Sequence, residues 1–130
     1  MDIEDVDFSK FNFEFDNKTG LLFKYYYGKI TIEDIATTWE YAIKNEVIPR
    51  ETRGFVLDYR AASFNLKEEE HNKISQFYQR HIDVFGNTKI AILTENPKDI
   101  VIPILVETKD NGYKSKPFYT LDAAIKWVLG

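Results

Sequence analysis

Gly54-Phe55-Val56-Leu57 is an unbroken apolar run of strand-forming residues, closed by Asp58. A strand with polar residues on one face alternates, so a run without alternation is expected where both faces are covered. Lys89-Ile90-Ala91-Ile92-Leu93 repeats that signature thirty-odd residues later. Two such strands with a helical pattern between them predict parallel neighbours joined by a right-handed crossover, in a sheet with helices on both sides.

Toward the N-terminus the period changes. Phe11-Asn12-Phe13-Glu14-Phe15 places an aromatic ring at every second position, so three rings share one face of a half-buried strand. Asp16-Asn17-Lys18-Thr19-Gly20 supplies turn residues, and Leu21 to Tyr27 is again rich in strand formers. The pair reads as an antiparallel hairpin. Thr31 then offers a hydroxyl cap, with Glu33 and Asp34 at the positive end of the helix dipole. Ile32, Ile35, Ala36, Trp39, Ala42 and Ile43 form the apolar stripe of that helix, which ends between Asn45 and Pro49.

Toward the C-terminus, Asn65 and Glu68 have the spacing of a capping box, and Leu66, Glu70, Ile74, Phe77 and His81 line one face of a second helix running to about Ile82. Gly86-Asn87 breaks it. Asn96-Pro97 starts a third helix, although Pro103 inside it must either kink the helix or move its start to about Asp99. Phe118-Tyr119 reads as a short strand, and Thr120 caps a last helix carrying Leu121, Ala124, Ile125, Val128 and Leu129. The expected fold class is therefore α/β: a single-layer mixed, mainly parallel five-stranded sheet with an N-terminal antiparallel hairpin and about four covering helices. Residues 11–130 form one domain, preceded by a tail over residues 1–10.

Composition narrows the function classes. At 130 residues, 44% hydrophobic and 29% charged, the chain can bury one core. Its net charge of −4 without a Lys/Arg cluster argues against nucleic acid. The absence of cysteine excludes disulfides and thiolate chemistry. Met1 to Asp7 is acidic where an export signal needs a basic region and an apolar run, so a cytoplasmic location is expected. The longest apolar stretch, Ile100 to Val106, is far shorter than the ~20 residues of a transmembrane segment.

The elements resemble the SpoIIAA-like family, relatives of the STAS domain with a CRAL-TRIO-like fold. The resemblance rests on the segment from Tyr25 to Asp34, on Gly54 to Asp58, on Ile90 to Leu93, and on the ending from Phe118 to Val128 with its Phe-x-x-x-x-x-Ala-x-x-Trp spacing; together they span roughly residues 11 to 129. It implies a non-catalytic regulatory or protein-interaction module. STAS-type anti-sigma-factor antagonists are phosphorylated on a serine that directly follows an aspartate, at the start of the helix after the third strand. The corresponding stretch here is Asp58 to Asn65, in which Ser63 follows Ala62 and precedes Phe64. The CRAL-TRIO likeness implies an alternative, a carrier of a small apolar or lipid ligand, to which the ten Phe and eight Tyr add weight.

Ligands of open α/β sheets gather beyond the carboxyl ends of parallel strands, which nominates Asp58, Arg60, Ser63 and Thr94 as a ligand or partner site. Tyr25, Tyr26 and Tyr27 put rings on both faces of one strand and are the expected interface, a homodimer through the aromatic hairpin or through a helix being one form of it. His71 and His81 are ten residues apart on one helix and point in different directions, so no metal is expected. Glu68-Glu69-Glu70 fan out around the axis and suit a first helical turn. The scattered glycines form no phosphate-binding motif, and neither a cofactor nor a catalytic set of residues is expected.

Overall fold

The computed structural model describes residues 6–130; of the expected N-terminal tail and the acidic start, residues 1–5 lie outside the described residues. Five strands, β1 (Phe11–Asp16), β2 (Leu21–Ile30), β3 (Gly54–Phe64), β4 (Lys89–Leu93) and β5 (Lys114–Phe118), lie side by side in sequence order. Only β1 and β2 are antiparallel; every other neighbouring pair is parallel. The helices are α1 (Ile32–Lys44), α2 (His71–Arg80), α3 (Ile82–Phe85), α4 (Val101–Glu107) and α5 (Leu121–Leu129). This is the expected α/β architecture.

Side-chain alternation divides the core. Leu22 and Tyr26 of β2, Phe55, Leu57 and Tyr59 of β3, and Ile90 and Ile92 of β4 face one side, where Ile35, Trp39, Ile74, Phe77, Tyr78, Phe85, Ile102 and Val106 of the helices close over them. Leu21, Val56 and Ala91 face the other side, which α5 covers with Ala124 and the half-buried Leu121, Ile125, Trp127 and Val128. Gly54 is a glycine because a Cβ there would run into the side chain of Val128.

Several boundaries differ from the expectations. Asp58 does not close β3, which continues to Phe64; β2 is ten residues long, and its end from Tyr27 to Ile30 pairs with Ala61 to Phe64. A polar residue inside a strand is tolerated when a neighbouring strand supplies the ladder. Asn65 is not a helix cap, because its N–H still bonds Ile30 in that ladder. Residues Glu68–Glu70 form a single 3-10 turn, closed by Glu70 accepting the Lys67 N–H, and α2 begins only at His71. It ends at Arg80, with His81 as a hinge to α3. Pro97–Ile100 is another 3-10 turn, capped by Asn96, and α4 starts at Val101. Pro103 therefore sits in the first turn of α4, where no intrahelical donor is lost. Tyr119 lies beyond β5 and is exposed. Thr31 and Thr120 do cap α1 and α5, and Thr31 forms a full capping box with Asp34.

Candidate functional site

Asp58 sits where β3 carries one residue more than β2: Tyr25 pairs with Asp58, and Tyr27 pairs with Ala61. Such a bulge withdraws a backbone N–H from the ladder. Asp58 recovers it, Oδ1 accepting from the Arg60 N–H at 2.9 Å, while the Arg60 guanidinium donates to both carboxylate oxygens at 2.7–3.1 Å. The carboxylate, 5% exposed, is thus committed within two residues of itself. Its charge holds the Arg60 guanidinium above its ordinary pKa. A carboxylate whose oxygens are filled this way serves as a clamp on the bulge.

Thr94 follows β4 and is fully buried, its N–H bonded to Phe118 and its hydroxyl accepting from Asn96. Ser63 lies five residues beyond Asp58 on the same strand, roughly 16 Å away at ~3.3 Å per residue. It pairs with Lys29 in the sheet and precedes α2 by the whole 3-10 turn. Asp58 and Arg60 therefore form one site, while Ser63 stands apart from it and away from a helix start.

The three tyrosines separate by parity. Tyr26 points into the large core, is 1% exposed and stacks on Tyr59 at 4.3 Å. Tyr25 is half-buried and Tyr27 is 41% exposed, on the face that α5 only partly covers. There Tyr25 stacks against Phe23 and lies near Asp58, Arg60 and Glu14; burial raises its phenol pKa, and the two carboxylates add to the shift. Tyr25, Tyr27 and Arg60 form one continuous strip of half-open surface.

Lys24, which residue-type reasoning overlooked, is the most unusual group of the structure. It shares parity with Leu22 and Tyr26 and is fully buried. Its Nζ donates to the Thr38 hydroxyl and lies 4.2 Å from the Trp39 ring centroid, 4.4 Å from Tyr26 and 5.4 Å from Phe13. Burial drives the amine well below its ordinary pKa, against the pull of Asp34. Asp34 is itself engaged: burial pushes its carboxyl up, but bonds from Lys10 and Thr31 outweigh that and hold it below the usual range. The Tyr26 hydroxyl and Trp39 indole N–H beside Lys24 are buried without a hydrogen-bond partner.

Among the described residues no three His, Asp or Glu side chains converge as a metal-ligand set. His81 packs on the Phe77 ring at 4.6 Å. The space left in the large core, between Leu57, Tyr59, Tyr78, Ile92, Ile102 and Val106, is about 20 Å³. Ligand pockets begin at ~300 Å³, so this interior gives no room for a carried apolar molecule. No helix among the described residues is long and apolar enough to cross a membrane.

No family model matches the chain, and no curated protein matches it. Solved structures do. An uncharacterised protein of the DUF3478 family with a SpoIIAA-like fold, from Shewanella loihica PV-4, superposes with a TM-score of 0.60 at 16% identity over 91% of each chain. The anti-sigma factor antagonist SpoIIAA, in its unphosphorylated form, superposes with a TM-score of 0.50 at 14% identity over 92% of this chain and 98% of that one. The domain has a SpoIIAA-like fold. The CRAL-TRIO designation gains no support from either structure.

Proposed function

We propose that this SpoIIAA-like domain is a non-catalytic regulatory module of STAS-like type that works in the cytoplasm by binding another protein. The observation that carries the reading is the unequal cover of the sheet. The helix α5 shields Leu21, Val56 and Ala91, and leaves Tyr25, Tyr27 and Arg60 as an aromatic and cationic strip at the far end of the same face. Tyrosine supplies contact area at little entropic cost and arginine supplies a fork of hydrogen-bond donors, and both are enriched where proteins meet. Asp58 orients Arg60 within that strip. The likeness to an anti-sigma factor antagonist supports a regulatory role of this kind. Filling of the Asp58 carboxylate by Arg60 supports a non-catalytic one.

A photo-crosslinking phenylalanine analogue placed at Tyr27 tests the reading in the producing cell. One defined protein should be trapped, and Arg60→Glu should reduce that crosslink at least tenfold at a temperature well below the variant's own melting transition, which the loss of the Asp58 ion pair lowers. A crosslink that ignores Arg60→Glu, or no crosslink beyond background, would count against this surface.

A further inference from the structure

Among the described residues the outer edge of β1 has no neighbouring strand. β1 is the terminal strand of the sheet and pairs only with β2 among the described residues. The Tyr27 N–H bonds the Lys10 carbonyl, and the two residues are opposite one another in the register. Hydrogen-bonded pairs alternate along an antiparallel ladder, so Asn12 and Glu14 also direct their backbone groups at β2. The N–H and C=O groups of Phe11, Phe13 and Phe15 consequently point outward.

Edges of this kind are ordinarily blunted by a proline, a bulge or a lysine within the strand. The sequence of β1, Phe-Asn-Phe-Glu-Phe-Asp, contains none of these, and its one mid-strand charge is Glu14. The rings along it are also incompletely covered: Phe13 and Phe15 are half-buried, and Phe8, packed edge-on against Tyr41 beside Phe11, is 55% exposed.

We propose that two copies of this chain pair through β1 in antiparallel fashion about a two-fold axis at Phe13, joining their sheets into one of ten strands. This register is selected by the residues. It sets Phe13 against the partner's Phe13 and Phe11 against the partner's Phe15, so every outward N–H and C=O of the strand gains a partner. On the opposite face it sets Asn12 against the partner's Glu14, twice by symmetry. Neither side chain has a hydrogen-bond partner within its own chain among the described residues, both are exposed, and an amide and a carboxylate are complementary. Centring the axis on Glu14 would oppose two carboxylates. Centring it on Asn12 would leave Phe15 beyond the end of the partner's strand. The inference stands apart from the Tyr25 and Tyr27 surface, whose partner is a different protein.

Sedimentation equilibrium on the full chain and two variants tests it. The wild-type protein should form dimers. Asn12→Glu places like charges across the axis at two positions and should raise the dissociation constant about tenfold, and Asn12→Lys should lower it several-fold. Position 12 is exposed, so at concentrations where the chain is monomeric both variants should keep the wild-type melting curve. In the dimer, amide exchange at Phe11, Phe13 and Phe15 should slow as concentration rises. A monomer up to millimolar concentration overturns the proposal. So does a dimer that is indifferent to both substitutions, or one whose Phe13 amide exchanges at the same rate at every concentration.

Discussion

Lys24 is charged in the unfolded chain, yet in the fold it has one hydroxyl partner, three aromatic rings within 5.4 Å and no carboxylate in contact. Cation–π contact favours the ammonium by about 2 kcal/mol in a desolvated site, while full burial without a carboxylate partner opposes it by more. Because the folded pKa lies below the ordinary 10.5, the unfolded state binds more protons between those two values, and stability must rise with pH across that window. Lys24→Met should stabilise the protein at pH 7 by at least ~1 kcal/mol. The gain should shrink by ~1.4 kcal/mol per pH unit as pH climbs from the folded pKa to 10.5. Urea unfolding of both proteins from pH 7 to 11 measures it, and a gain independent of pH would mean that the folded lysine keeps its proton. Tyr26, Tyr59 and Tyr78, whose buried phenols titrate above their ordinary 10.0, remove stability above that pH in both proteins and cancel in the difference. The buried lysine was legible in one respect only: parity with Leu22 and Tyr26 places it inward, whereas residue type alone places it in solvent. Asp58 tells the reverse story. Its buried-strand position was readable, but its engagement by Arg60 depends on the bulge, which no local pattern announces. Asp58→Ala should cost ~1–3 kcal/mol by orphaning the Arg60 N–H, and Asp58→Asn should recover most of it, as thermal melts would register.

Among the elements, α5 and β3 meet more closely than a side chain on Gly54 permits. Gly54→Ala would press its methyl into Val128, and overpacking of this kind costs ~1–3 kcal/mol. Val128→Ala removes the obstacle, so the double variant should be more stable than the sum of the two single effects predicts, by at least ~0.5 kcal/mol in a denaturation cycle. Additivity would place the strain elsewhere. The same scale explains which boundaries could be read from the chain. Thr31 and Thr120 each act on an amide three residues away, so their caps are local and visible. The far half of β3 is extended because β2 runs beside it, and that pairing joins residues more than thirty positions apart. Ala61-Ala62-Ser63 carries no strand signal of its own, which is why the sequence reading ended β3 at Asp58 and began α2 too early.

For the whole molecule, the two faces of the sheet differ in how firmly they are held. One side joins β1 to β4 with α1, α2, α3 and α4 in a single large cluster that includes Trp39, Phe55, Phe85 and Tyr78. The other has four fully buried residues, Leu21, Val56, Ala91 and Ala124, under the nine-residue α5. Free energy of opening follows the apolar area exposed, at about 25 cal/mol per Å². Loss of α5 exposes only the small cluster, so it should occur as a partial opening well below the global unfolding energy. Native-state hydrogen exchange in rising denaturant should therefore show the amides of Ala124 to Leu129 merging into one low-energy group. The amides of Val56, Leu57, Ala91 and Ile92 should exchange only through global unfolding. Gly54→Ala should lower both groups by about the same amount, because its clash with Val128 exists only in the native state and is relieved in either opening. If all these amides exchanged at one common free energy, α5 would belong to the same cooperative unit as the main core, and the sheet would owe its stability to both faces alike.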